Sequence, residues 1–305
     1  MSDILRYEFA LQEPAMAIAP VFLALPKKDR GKLDVTYQFN NTLLRWRGPD
    51  ALGIPEQSVM LALLCIAAQQ DIRVSLSNPQ KVGAELLRRL CLSAADLDSK
   101  LVVLSISWNR LVAAAGYQDS GGGEYVKIAQ TAVRRLAETT MWETRGDETV
   151  ESRVLSWVKG NKDGVLILLN RRATEALCGG QYVKISLVER AALKSAPVKA
   201  LHAWLSGCVR VGATSTFSLA RIQTHVWGTA ATGSTLRSRF KTLRKALADI
   251  GKLSGWRCTL STPDDVNVTR VAPGSIADKT RKERRGPGSI ANARKSAKTK
   301  EKGTV

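Results

Sequence analysis

Between Leu236 and Ile250 the apolar residues fall at Leu236, Phe240, Leu243, Leu247 and Ile250. Spacings of four and three lay one stripe along a helix, whereas a strand, with its period of two, scatters them over both faces. The pattern predicts a helix over Ser234 to Ile250 with that stripe buried. Ser234 and Thr235 suit its start as caps, and Gly251 suits its end. Arg237, Lys241, Arg244 and Lys245 fall on the opposite side, with Arg239 at the flank. Asp249, near the end, is the only acid. Ordinary solvated helices mix both signs of charge. A helix buried on one side and cationic on the other reads as a DNA recognition helix.

The rest of the chain shares this bias. Its 305 residues carry 46 Lys+Arg against 27 Asp+Glu, a formal charge of +19. Such a charge attracts polyanions. No apolar run approaches the roughly 20 residues that span a bilayer, and the N-terminus lacks a signal peptide's cationic start, so a membrane role is not expected. Cys65, Cys91, Cys178, Cys208 and Cys258 are scattered and never in C-x-x-C spacing. They read as small hydrophobes in a reducing cytoplasm.

A mixed N-terminal arm, residues 1–30, comes first. KLDVTYQF and TLLRWRG read as paired strands around Asn40-Asn41. Pro55 opens a core helix, and VGAELLRRL is a further helical piece before a polar turn near Asp96 and Asp98. VVLSIS is a strand, Ser107 caps a short helix, and the Ser120–Gly123 turn leads to a helix from Glu124 to about Thr140. MWETR and VESRVLSWVK read as a hairpin or wing, followed by a turn at 160–164 and the strand VLILLN. After Asn170 a similar order returns. It includes a helix over 198–209, a short helix capped by Ser218, the cationic helix, and a hairpin joined by Thr262 to Asp265. Shifting the first half by 111 residues places Tyr125, Ala129, Ala132 and Leu136 on Leu236, Phe240, Leu243 and Leu247. Leu111 and Ala115 then fall on Ile222 and Val226. The expected fold is α+β: tandem winged helix-turn-helix domains at 31–164 and 165–271, with a disordered basic tail at 272–305. The tail carries ten Lys+Arg and three Asp+Glu, so a net +12 of the total +19 stays with the rest of the chain.

Catalytic signatures are missing. His202 and His225 both lie in helical stretches and read as structural or surface residues, not catalytic ones. There is no H-E-x-x-H, G-x-S-x-G or Walker A pattern, and no acid cluster at metal-ligand spacing. The chain reads as a binding protein, not an enzyme, and no cofactor or metal is expected.

KLDVTYQF with RWRGPDALG, the SGGG turn and its helix, GGQYVKIS, VWG and GSTLRSRFKTLRKAL occur in one order from Lys32 to Leu247. In this the chain resembles the replication initiator C proteins of IncQ-type broad-host-range plasmids. The resemblance implies a bacterial cytoplasmic protein that binds direct repeats (iterons) at a plasmid's vegetative origin and opens an adjacent AT-rich segment. It also implies that a plasmid-encoded helicase and primase then act there. On this reading Thr235, Arg237 and Ser238 reach base edges, Lys241, Arg244 and Lys245 serve bases or phosphates, and Ser234 and Arg239 belong to the same DNA-binding set. Lys127, Gln130, Thr131 and Arg134 touch a second groove or the backbone, and the wing residues Arg257 and Lys162 touch phosphates. Initiators of this architecture often use the first domain to dimerise, so a homodimer contact is the other role for that face. A transcriptional repressor of the same fold, binding operator DNA, is the rival function.

Overall fold

The computed structural model describes residues 8–26, 30–69, 73–75, 100–117, 123–159 and 164–272. The VGAELLRRL helix, the turn near Asp96 and Asp98, Ser120 to Gly122, residues 160–163 and the tail beyond Ala272 lie outside them. The fold is α+β. Strands β2 (Leu33–Phe39) and β3 (Thr42–Gly48) pair antiparallel around Asn40, whose φ of 51° is the left-handed conformation asparagine tolerates. Along β3, Thr42, Leu44 and Trp46 are buried while Leu43, Arg45 and Arg47 are exposed, so one face meets the core. Helix α2 (Ile54–Gln69) is apolar almost all round and buried from Glu56 to Ala67, as its composition predicts.

Strands β4 (Arg73–Ser75) and β5 (Lys100–Ser107) follow, then helices α3 (Trp108–Ala114) and α4 (Gly123–Glu138). β6 (Thr140–Arg145) and β7 (Glu148–Arg153) form a hairpin that extends the first sheet, in the order β2-β3-β6-β7. β8 (Leu155–Lys159) and β9 (Gly164–Leu169) join the other sheet, in the order β4-β5-β9-β8. The wing expected from MWETR and VESRVLSWVK is therefore corrected, because its parts belong to two sheets. Val154 makes the break: it is fully buried, and its N–H donates to the Thr139 carbonyl at 3.0 Å.

Beyond β9 come α5 (Arg171–Leu177), β10 (Val183–Ser186), α6 (Leu187–Ala192) and α7 (Ala196–Cys208). Then β11 (Thr214–Ser218), α8 (Leu219–Trp227), α9 (Gly233–Ile250), β12 (Trp256–Leu260) and β13 (Asp265–Arg270) complete the fold. The last three strands form a sheet in the order β11-β13-β12. The two halves thus repeat one plan: helix, strand, helix, helix, strand, strand, with the third strand between the first two. The offset of 111 carries Ser107 to Ser218 and Arg110 to Arg221, and in each pair the serine Oγ accepts the arginine amide (3.3 and 3.2 Å). After the long helices the offset changes: Leu155 to Trp256 and Gly164 to Asp265 are each 101 residues apart. The β6–β7 hairpin, which only the first unit has, accounts for the difference.

Two apolar cores result. The first runs from Ala10 to Ile185, with Ala203 of α7, and includes Val165, Ile167, Leu169 and Ala173, residues on the far side of the boundary expected at 164/165. The second is built from 193–268 together with Ala24 and Ile54. The segment expected as an arm contributes to both. β1 (Phe9–Gln12) pairs with β10, and α1 (Pro14–Ile18) packs on α7. Leu23 N–H donates to the Leu52 carbonyl (2.9 Å) and Ala24 N–H to the Val226 carbonyl (2.7 Å), so this strap joins the two units. Cys65 is buried, Cys178, Cys208 and Cys258 are half-buried, and all four are free thiols. Burial pushes Cys65 up to about 11 and Cys208 and Cys258 up to about 12, so these three stay protonated near neutrality. Among the described residues no helix is long and apolar enough to cross a membrane.

Candidate nucleic-acid interface

Ser218 caps α8, as its sequence predicts, and Leu219, Ile222 and Val226 turn inward. The helix ends at Gly228, which takes a φ of 78° and returns its N–H to the Thr224 carbonyl at 2.7 Å. A Cβ there would lie 2.8 Å from Leu23 Cδ1, so the strap and the turn meet without room for a side chain. The chain enters α9 through Gly233, at a φ of 59°. The N-cap is accordingly Thr232, without a side-chain bond, and not Ser234 or Thr235, which lie inside the first turn. Gly251 ends the helix as expected.

The buried residues of α9 are Leu243, Ala246, Leu247 and Ile250. Leu236 and Phe240 are only half-buried. The expected stripe is therefore fully covered along its C-terminal half alone, with Phe240 packed partly against the core, and the first two turns partly overhang it. The overhang exposes Ser234, Thr235, Arg237, Ser238 and Lys241, with Arg244 and Lys245 following on the same side. Among the described residues Arg237, Lys241 and Lys245 make no hydrogen bond or ion pair. Two other cations are held. Arg239, half-buried, donates Nη1 to the Thr229 carbonyl at 2.7 Å and lies over the Trp227 ring at 5.0 Å. Arg244 donates Nη2 to the Pro263 carbonyl at 2.7 Å, lies 3.9 Å from Asp264 and approaches the Phe240 ring at 5.9 Å. Arg257 is exposed on β12.

The corresponding helix of the first unit is α4. Lys127, Gln130 and Arg134 are exposed and Thr131 is half-buried. Glu124 and Glu138 are exposed on the same helix, and Arg134 lies 3.8 Å from Glu138, so charge there is balanced. Lys162 falls outside the described residues. Arg135, at the flank, is structural: Nε donates to Asp50 at 2.8 Å and Nη1 to the buried Glu56 at 3.0 Å.

Behind α9 lies a buried polar cluster. His202 Nε2 meets Glu189 Oε2 at 2.9 Å, and Trp256 Nε1 donates to the same oxygen at 3.0 Å. Burial alone raises the Glu189 carboxyl; the bonds from His202 and Trp256 outweigh it and hold the group below its ordinary value. Burial lowers His202 despite the acid beside it, which keeps the ring neutral with Nε2–H as donor. Burial pushes His225, stacked on Trp204 at 4.8 Å, down to about 3. Of the two roles read from their helices, structural or surface, His202 takes the structural one, fully buried, and His225 is half-buried against Trp204. Sequence reasoning missed the strap at Leu23 and Ala24 and the braces on Arg239 and Arg244. No periodic signal marks such contacts, since the strap joins backbone to backbone between distant segments and the braces join a side chain to a carbonyl 10 or 19 residues away.

The family profile described as Replication protein C (RepC) matches residues 6–272. No curated protein matches the sequence. Among solved structures, the crystal structure of SeMet derivatives of domain 2 and domain 3 of RctB superposes with a TM-score of 0.51 at 9% identity, covering 85% of this chain and 98% of that one. A second crystal structure of RctB domains 2-3 gives 0.48 at 10% identity, covering 88% and 99%.

Proposed function

We propose that this chain, which belongs to the Replication protein C (RepC) family, is a plasmid replication initiator that binds direct repeats (iterons) at its vegetative origin. One observation carries the reading. α9 overhangs the core, and its exposed side carries cations with no acid before Asp249. The repeated order of elements supports tandem winged helix-turn-helix units, of which the second reads DNA. Its α9 lies in a major groove, with Thr235, Arg237 and Ser238 at base edges and Lys241 and Lys245 at bases or phosphates. Arg237 suits guanine O6 and N7. Arg257 meets the backbone from β12. In the first unit Lys127, Gln130, Thr131 and Arg134, with Lys162, make a weaker contact to a second groove, because Glu124 and Glu138 offset their charge. Bound to its repeats in the bacterial cytoplasm, the protein opens the adjacent AT-rich segment, and a plasmid-encoded helicase and primase load there.

Footprinting on the origin of the plasmid that carries the gene tests the reading. Protection should recur at direct repeats, and permanganate should mark unpaired thymines beside them on supercoiled DNA. Protection without opening would point to a repressor instead. Binding without preference for any origin segment would end the initiator reading.

A further inference from the structure

Resting on that reading, we infer that Arg239 and Arg244 do not contact DNA and instead position the surfaces that do. Each long cationic side chain is engaged within the protein. Arg239 spans from α9 to the Thr229 carbonyl and covers Trp227, the last residue of α8. It fixes the turn that sets the angle between α8 and α9. Arg244 spans from α9 to the β12–β13 turn, where it meets the Pro263 carbonyl and the Asp264 carboxylate. The turn is further organised from within. Thr262 Oγ1 accepts the amides of Asp264 (3.3 Å) and Asp265 (3.0 Å) and donates to Asp265 Oδ2 (2.9 Å). The Asp264 carbonyl accepts Leu219 N–H at 2.7 Å, so the start of α8 is tied to the same turn.

The consequence for recognition is electrostatic as well as geometric. Asp264 and Asp265 make the turn acidic where a phosphate-bound wing would be basic. An arginine already hydrogen-bonded to a carbonyl and ion-paired with a carboxylate gives up both contacts if it moves to a phosphate. Arg237, Lys241 and Lys245 have no such bonds among the described residues. Base reading therefore concentrates in Thr235, Arg237 and Ser238, with Lys241 and Lys245 at the adjacent phosphates, and Arg239 and Arg244 hold that set in register with the hairpin.

Salt dependence separates the two roles, because each lost phosphate contact reduces the slope of log K against log[salt] by about 0.9. Binding is measured on the footprinted repeat and on a random duplex of equal length. Lys241→Ala should lower the slope by about one on both. Arg244→Ala should keep the wild-type slope on random duplex yet lose about tenfold in preference for the repeat, since a displaced helix misses its base contacts. Arg244→Gln, which can still donate to the Pro263 carbonyl, should recover much of that preference. In the free protein, exchange of the Asp264 and Asp265 amides should quicken in Arg244→Ala and not in Lys245→Ala. A slope reduced by Arg244→Ala as by Lys241→Ala, or turn amides unmoved by it, overturns the assignment. If Arg237→Ala and Lys241→Ala both bind like wild type, the reading of α9 fails instead.

Discussion

His225 and Leu243 show what single positions do in this protein. The proton that His225 refuses in the folded state is accepted once the chain unfolds, because burial holds the folded value near 3 and the ordinary value is about 6.5. The unfolded state then binds more protons between those limits, so stability is full above about pH 6.5 and falls with acid by up to about 1.4 kcal/mol per pH unit. His202, also lowered, acts in the same direction. Urea titrations between pH 4 and 7 should show this limb, and His225→Phe should make it shallower; an unchanged limb would assign the acid sensitivity elsewhere. Leu243 is fully buried, and Leu243→Ala should cost about 2–5 kcal/mol. Leu236→Ala, on the overhanging half of the same stripe, should cost less than about 1 kcal/mol. Equal costs would mean that the first turns of α9 are covered after all.

Turns and straps set the geometry of the elements. Gly228 needs both its left-handed φ and its missing Cβ. Gly228→Ala should destabilise by about 2 kcal/mol or more, combining the left-handed cost of about 1–2 with the clash against Leu23. Leu23→Ala in the same chain should relieve the clash and not the backbone term, so the double variant should recover only part of the loss. Full recovery would show that space alone requires glycine there. The rule for α9 was legible from a 4-3-4-3 spacing, and so was the alternation along β3. The depth to which each stripe is covered was not. Periodicity shows which side of a helix turns inward, whereas the neighbours determine how much of its length they reach.

Across the whole molecule, the strap from Phe22 to Ala24 limits how the two units can move. It pairs with Leu52 in one and bonds Val226 in the other. A rigid joint changes the expected response to altered spacing. If both units touch one face of the duplex, their grooves lie about 34–36 Å apart, one turn of roughly ten base pairs. Inserting five base pairs between the two protected halves of a repeat should weaken binding strongly, and a ten-pair insertion should help little because the strap resists stretching. Gel shifts on both inserts are the measurement. A five-pair insert that binds like the native repeat would leave DNA reading to the second unit alone and assign the first to dimerisation. Deleting residues 272–305 removes ten Lys+Arg and three Asp+Glu. Binding to all DNA should weaken and its salt slope flatten, while the preference for repeats survives. Loss of that preference would mean that the tail reads sequence.

What the residues determined by themselves was local. Their spacing specified α9 and its end at Gly251, though not its N-cap, and also the α8 cap at Ser218, the β2–β3 hairpin and the core helix α2, because each depends on neighbours within a turn or two. The shared offset of 111 likewise revealed a repeat, since duplicated helices keep their internal spacing. Only the tertiary structure decided that β6 and β7 join β2 and β3 in a sheet apart from β8 and β9, that residues 8–25 bridge two cores, and that Arg239 and Arg244 are held while Arg237 and Lys241 make no such bonds among the described residues. Those outcomes rest on contacts between residues far apart in the chain, such as Ala24 with Val226 and Arg135 with Glu56. Such contacts leave no period in a sequence, because either partner satisfies its local pattern without the other.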